Sequence, residues 1–107
     1  MIAYDDYHWV FVMNLTEIKT KLEKLKPILE RKFKVKVIGV FGSYARGAET
    51  ASSDVDILVD LYEPIGWDIV ELKEFLETSL GLKVDLVTMN ALRPELRDSI
   101  LKEVVFV

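Results

Sequence analysis

The 107-residue chain has no cysteine, which excludes disulfide frameworks, thiolate metal sites and cysteine nucleophiles. Histidine is nearly as scarce. His8 is the only one, and without a partner at ligand spacing it reads as a packing or surface residue. No apolar run approaches the roughly 18–20 residues that cross a bilayer. The N-terminus lacks the basic start and long apolar stretch of a secretory signal, so the expected location is cytoplasmic. A basic surplus is missing too. The net charge of −4 argues against a surface that grips nucleic acid, which needs clustered cations to replace phosphate counterions. Lysines do gather at Lys19, Lys21, Lys24, Lys26, Lys32, Lys34 and Lys36. Glutamates are interspersed among them, and the pattern is that of a solvated helix face with ion pairs.

Half the residues are hydrophobic and 30% are charged, a globular composition with length for one core and not two. Residues 1–12, "MIAYDDYHWVFV", do not match the rest of the chain and read as an N-terminal extension in which "WVFV" has strand propensity. Residues 13–107 read as a single domain. "NLTE" is a capping box with Asn14 as cap and Glu17 reaching back. Leu15, Ile18, Leu22, Leu25, Ile28 and Leu29 then recur at helical spacing to about residue 32. Pro27 predicts a kink or break there.

"VKVIGVFG" is a β-branched strand ending at Gly42. A short helical turn and a loop come next, to residue 53, and "DVDILVDL" is the second strand. Asp68 is placed to cap a helix running to Leu80, with Ile69, Leu72, Phe75, Leu76 and Leu80 inward and Gly81 as terminator. "KVDLVT" is a third strand, and "RPELRDSILKEV" a last helix with Pro94 in its first turn. The apolar tail "VVFV" needs covering, for which a partner is one candidate. The order α-β-(α)-β-α-β-α implies an α/β or α+β sheet covered by helices; the pattern alone leaves parallel and mixed sheets equally open.

The chemistry concentrates in "VFGSYARGAETASSDVDILVD", residues 40–60. Residues two apart on a strand share a face, so Asp54 and Asp56 project together while Val55, Ile57 and Val59 face the other way. Paired carboxylates are costly without a counter-charge, and hard oxygen ligands suit Mg²⁺ or Mn²⁺. Asp85 is isolated by the same logic, since Val84 and Leu86 face the core. If its strand neighbours the second, three carboxylates converge as two-metal phosphoryl or nucleotidyl transfer requires.

Gly42-Ser43 offers backbone N–H groups and a hydroxyl to phosphate oxygens, and glycine permits close approach. Arg46 can reach the same phosphates. The stretch is neither a Walker A loop, since it has no G-K-[ST], nor an EF-hand. Asp60, on the same strand face, reads as a solvated strand end. Tyr44 and Ser53 read as structural.

"GSYARGAETASSDVDILV" carries the G-S-x(10)-D-x-D signature, and with "KVDLVTMNALRPELRDSILKEV" it resembles the minimal nucleotidyltransferases of the DNA polymerase β superfamily over roughly residues 14–105. The resemblance implies a small mixed sheet flanked by helices. It implies that Gly42 and Ser43 hold nucleotide phosphates, that Asp54 and Asp56 bind the metals, and that Asp85 completes the second metal site and helps activate the attacking hydroxyl.

The reaction so implied is transfer of AMP from ATP to a hydroxyl. Because the chain has no room for an acceptor domain, a second copy or a different chain must supply the missing wall. The family implies a tyrosine of a small helical HEPN toxin as acceptor, with this protein as antitoxin. The other reading is a non-catalytic nucleotide-binding or partner-binding module that neutralises its partner by contact.

Overall fold

In the computed structural model, residues 2–5, 8–11 and 13–107 are described, the first two stretches as backbone alone. The side chain of His8 lies outside the described residues. Strands β1 (Ile2–Asp5) and β2 (His8–Phe11) pair antiparallel as a sheet of their own.

Helix α1 (Leu15–Phe33) begins at the expected box. Asn14 Oδ1 accepts the Glu17 N–H at 3.0 Å, and Glu17 Oε1 accepts the Asn14 N–H at 3.4 Å. The helix is assigned without interruption through Pro27. Proline removes the bond to the Glu23 carbonyl, but both residues are exposed, so water can satisfy that carbonyl and the break expected from the sequence does not occur. Ile28 is exposed as well. Lys34 ends the helix in the left-handed region with its N–H on the Glu30 carbonyl.

Strand β3 (Val35–Phe41) comes next, then the short helix α2 (Gly42–Arg46), β4 (Val55–Leu61), α3 (Asp68–Leu80), β5 (Val84–Thr88), a 3₁₀ turn at Met89–Ala91, α4 (Pro94–Glu103) and β6 (Val105–Phe106). The main sheet has the order β5-β4-β3-β6. β4 and β5 run parallel and are joined by α3; β3 is antiparallel to both β4 and β6. The sheet is therefore mixed.

Asp68 is the first residue of α3 and not its cap. Trp67 holds the cap position without a side-chain bond, because the carbonyls of Ile65, Gly66 and Trp67 already take the first amides from the preceding turn. The carboxylate of Asp68 instead meets the positive end of the helix. Gly81 terminates α3 as expected, with φ +69°.

One face of the sheet carries the core. Ile38, Val40, Val55, Ile57, Val59 and Val84 pack against Ile18, Leu22, Leu29 and Phe33 of α1 and Leu72, Leu76 and Leu80 of α3. Each such side chain contributes about 1.5–3 kcal/mol by leaving water. Phe33 and Phe75 stack tilted at 5.5 Å, and Lys32 bridges to Glu71 across the two helices at 3.1 Å. The alternation of β4 leaves Asp56, Leu58 and Asp60 on the opposite face.

The tail forms the edge strand β6. Val105 pairs with Val40, Phe106 with Gly39, and Val107 donates to the Ile38 carbonyl at 2.9 Å. Gly39 is a close approach, since a Cβ there would stand 2.6 Å from Val104 Cγ2.

Candidate active site

The parallel register of β4 and β5 places Val55 opposite Val84 and Asp56 opposite Asp85. The expected neighbouring of these strands therefore holds, and it brings two carboxylates side by side. Their starting ends are fixed by two bonds of 2.9 Å: the Val55 N–H to the Lys83 carbonyl, and the Val84 N–H to Glu77 Oε2 of α3. Asp85 is exposed, Asp56 half-buried, and Asp54 lies exposed just ahead of β4.

The Asp56 carboxyl is pushed up to about 6, first by burial, then by the charge of Asp85 and a hydrogen bond with it, then by Asp54 and Glu103. A pair of neighbouring carboxylates is the donor chemistry that a hard divalent cation satisfies. Among the described residues, no three acidic or imidazole side chains are drawn into one ligand group.

Antiparallel pairing with β3 sets Phe41 opposite Asp56, so the chain turns into α2 directly beside the carboxylate. Gly42 makes that turn with φ +72°, and a Cβ on it would collide with Asp56 Oδ2. Only glycine fits both demands. Tyr44, buried, anchors α2 in the core, where burial and then Glu49 raise its phenol. Ser43 is half-buried, and Arg46 is exposed at the end of α2. The loop before β4 is closed by the Ser53 N–H on the Thr50 carbonyl and the Thr50 N–H on Ser53 Oγ, the structural role expected of Ser53. Tyr44 likewise has the structural place expected of it.

One residue escaped the sequence reading. Glu103, at the end of α4, accepts the Gly42 N–H and an Arg46 Nη1–H through the same Oε1, each at 2.6 Å. Nothing in the sequence distinguishes it from other acids of an amphipathic helix, and its partners lie 61 and 57 positions away. Asp60 is not part of this gathering. It lines a cavity of about 410 Å³ at the other end of β4, with Tyr62, Ile65, Ile69, Thr88 and Met89.

The structure brings Asp56 and Asp85 together on adjacent strands beside the Gly42 turn. The Nucleotidyltransferase domain family matches residues 22–107. The Thermococcus cleftensis protein adenylyltransferase MntA is 46% identical over 97 residues, covering 90% of this chain and 98% of its own. A Methanocaldococcus jannaschii protein, named provisionally as a protein adenylyltransferase, is 46% identical over 95 residues, covering 87% and 97%.

Among solved structures, one described provisionally as a minimal nucleotidyltransferase superposes with a TM-score of 0.76 at 35% identity, over 87% of this chain and 95% of that one. A toxin–antitoxin structure with AMP-PNP gives 0.69 at 27%, over 82% and 70%. The chain belongs to the nucleotidyltransferase family, in its minimal form, and is a nucleotidyltransferase. None of its described helices is long and apolar enough to cross a membrane.

Proposed function

We propose that this protein transfers AMP from ATP to a tyrosine hydroxyl of a HEPN-type toxin and thereby acts as its antitoxin. The observation that carries the reading is the in-register pair Asp56 and Asp85, set against a turn that only glycine can make. Relatives named for protein adenylylation and a toxin–antitoxin neighbour with AMP-PNP support the choice of nucleotide and partner.

Gly42 N–H, the Ser43 hydroxyl and the Arg46 guanidinium receive the β- and γ-phosphates. Asp54, Asp56 and Asp85 would hold Mg²⁺ or Mn²⁺. When bound, such a cation neutralises phosphate charge and favours the attacking oxyanion. The acceptor oxygen bonds to the α-phosphorus, the bond to the bridging oxygen of the β-phosphate breaks, and pyrophosphate leaves. Asp85, the more open of the paired carboxylates, takes the hydroxyl proton. The remaining task is positioning.

In this reading residues 13–107 are the catalytic domain and 1–12 an extension. The protein works in the cytoplasm without binding nucleic acid, and the partner, or a second copy, closes the site.

Incubation with α-³²P-ATP, Mg²⁺ and a HEPN partner tests the proposal, with an Asp54→Ala/Asp56→Ala variant as control. Label on the partner that disappears with the variant is the expected result. Equal partner neutralisation by both proteins without label would replace the enzyme with a contact inhibitor.

A further inference from the structure

The Glu103 carboxylate engages the Gly42 N–H and Arg46, two of the donors just assigned to phosphate. Both donors meet an ionised acceptor, which makes these charge-assisted hydrogen bonds, and the Glu103 side chain is 25% exposed against 59% for Arg46. The segment beyond Glu103 is fastened. Val104 sits over Gly39, Val105 and Phe106 pair with β3, and Lys26 Nζ donates to the Val107 carbonyl at 3.0 Å. The backbone thus delivers the carboxylate to the turn, and side-chain rotation is the simplest way for it to leave.

An N–H that already serves a carboxylate is not free for a polyphosphate oxygen. Two anions at that spot would also repel each other, and Glu103 already adds to the negative charge felt by Asp56.

We propose that Glu103 is a positioning residue of the nucleotide site. Its carboxylate holds Arg46 and the Gly42 turn in receiving geometry until the polyphosphate takes both donors and displaces it. The inference rests on the reading that Gly42 and Arg46 receive phosphate. Entry of the nucleotide is then an exchange of one anion for another, and the end of α4 registers whether the site is filled.

Calorimetric binding of inorganic tripolyphosphate in the presence of Mg²⁺ tests the exchange. Glu103→Gln keeps an acceptor for the Gly42 N–H and removes the competing charge, so it should bind about three- to tenfold more tightly than wild type. Equal or weaker binding would overturn the exchange while leaving the phosphate site intact.

A measurement on wild type alone guards against a misfolded variant. On titration with tripolyphosphate, the Glu103 carboxyl ¹³C signal should move together with the Gly42 amide. A Gly42 amide that shifts while the Glu103 carboxyl stays still overturns the proposal. Failure of both proteins to bind tripolyphosphate removes it together with the phosphate assignment beneath it.

Discussion

Asp56 and Asp60 are the same residue type, on the same strand and the same face, four positions apart. Across the ladder from Asp56 stands Asp85, and Phe41 leads into the glycine turn; opposite Asp60 stands Val37. Asp56 has a carboxyl pushed up to about 6, with no room beside it even for a methyl group on Gly42. Asp60 has a roomy cavity and no carboxylate on its ladder partner. On the proposed reading, the reactive end of β4 is marked by the groups one strand away and not by the space available. That cavity lies at the end without the paired charges.

Removing each carboxylate in turn puts this contrast under the greatest pressure. Asp56→Ala or Asp85→Ala should slow AMP transfer to the partner by about a thousandfold or more, as loss of a central charge-stabilising group does. Asp60→Ala should stay within about threefold, typical of a position outside the site. Initial labelling rates measure both, and an Asp60 loss as deep as that of Asp56 would dissolve the distinction.

The glycines allow a finer test. Gly42→Ala should lower stability by about 1–3 kcal/mol through left-handed strain, add the collision with Asp56, and abolish nucleotide binding. Gly47, at φ +69° with nothing within 4 Å of an added Cβ, should show the strain alone as Gly47→Ala and keep its nucleotide. Thermal melts with and without AMP-PNP separate the two.

The smallest expected effect concerns pH. Asp56 binds its proton more tightly in the folded chain than in the unfolded one, about 6 against 3.8. Its contribution to stability is therefore fully present below the unfolded value and is lost as pH rises through about 6. Asp56→Asn should raise the melting temperature of metal-free protein at pH 7 and leave it nearly unchanged at pH 4. The gain should be below about 1 kcal/mol, because the carboxylate is partly open to water.

Much of this was legible because the signals were local. Asn14 and Glu17, the inward stripe of α3, Gly81 and the strand alternation each depend on neighbours within four residues. The pair Asp56–Asp85 was legible only conditionally, since the sequence isolates both residues but does not state that their strands adjoin. Pro27 misled because the cost of a missing N–H depends on whether water reaches the orphaned carbonyl. The tail "VVFV" announced a need for cover without saying that β3 would supply it. Glu103 left no trace, because its meaning comes from a contact closed across more than half the chain.

The ladder between β4 and β5 binds the two faces of the sheet to one alignment. Sliding β5 by a single residue would turn Asp85 into the hydrocarbon between α1 and α3 and push Val84 and Leu86 out to water. The oily side of the sheet therefore enforces the alignment of the carboxylates: a chain in which they are misaligned has also spoiled its core.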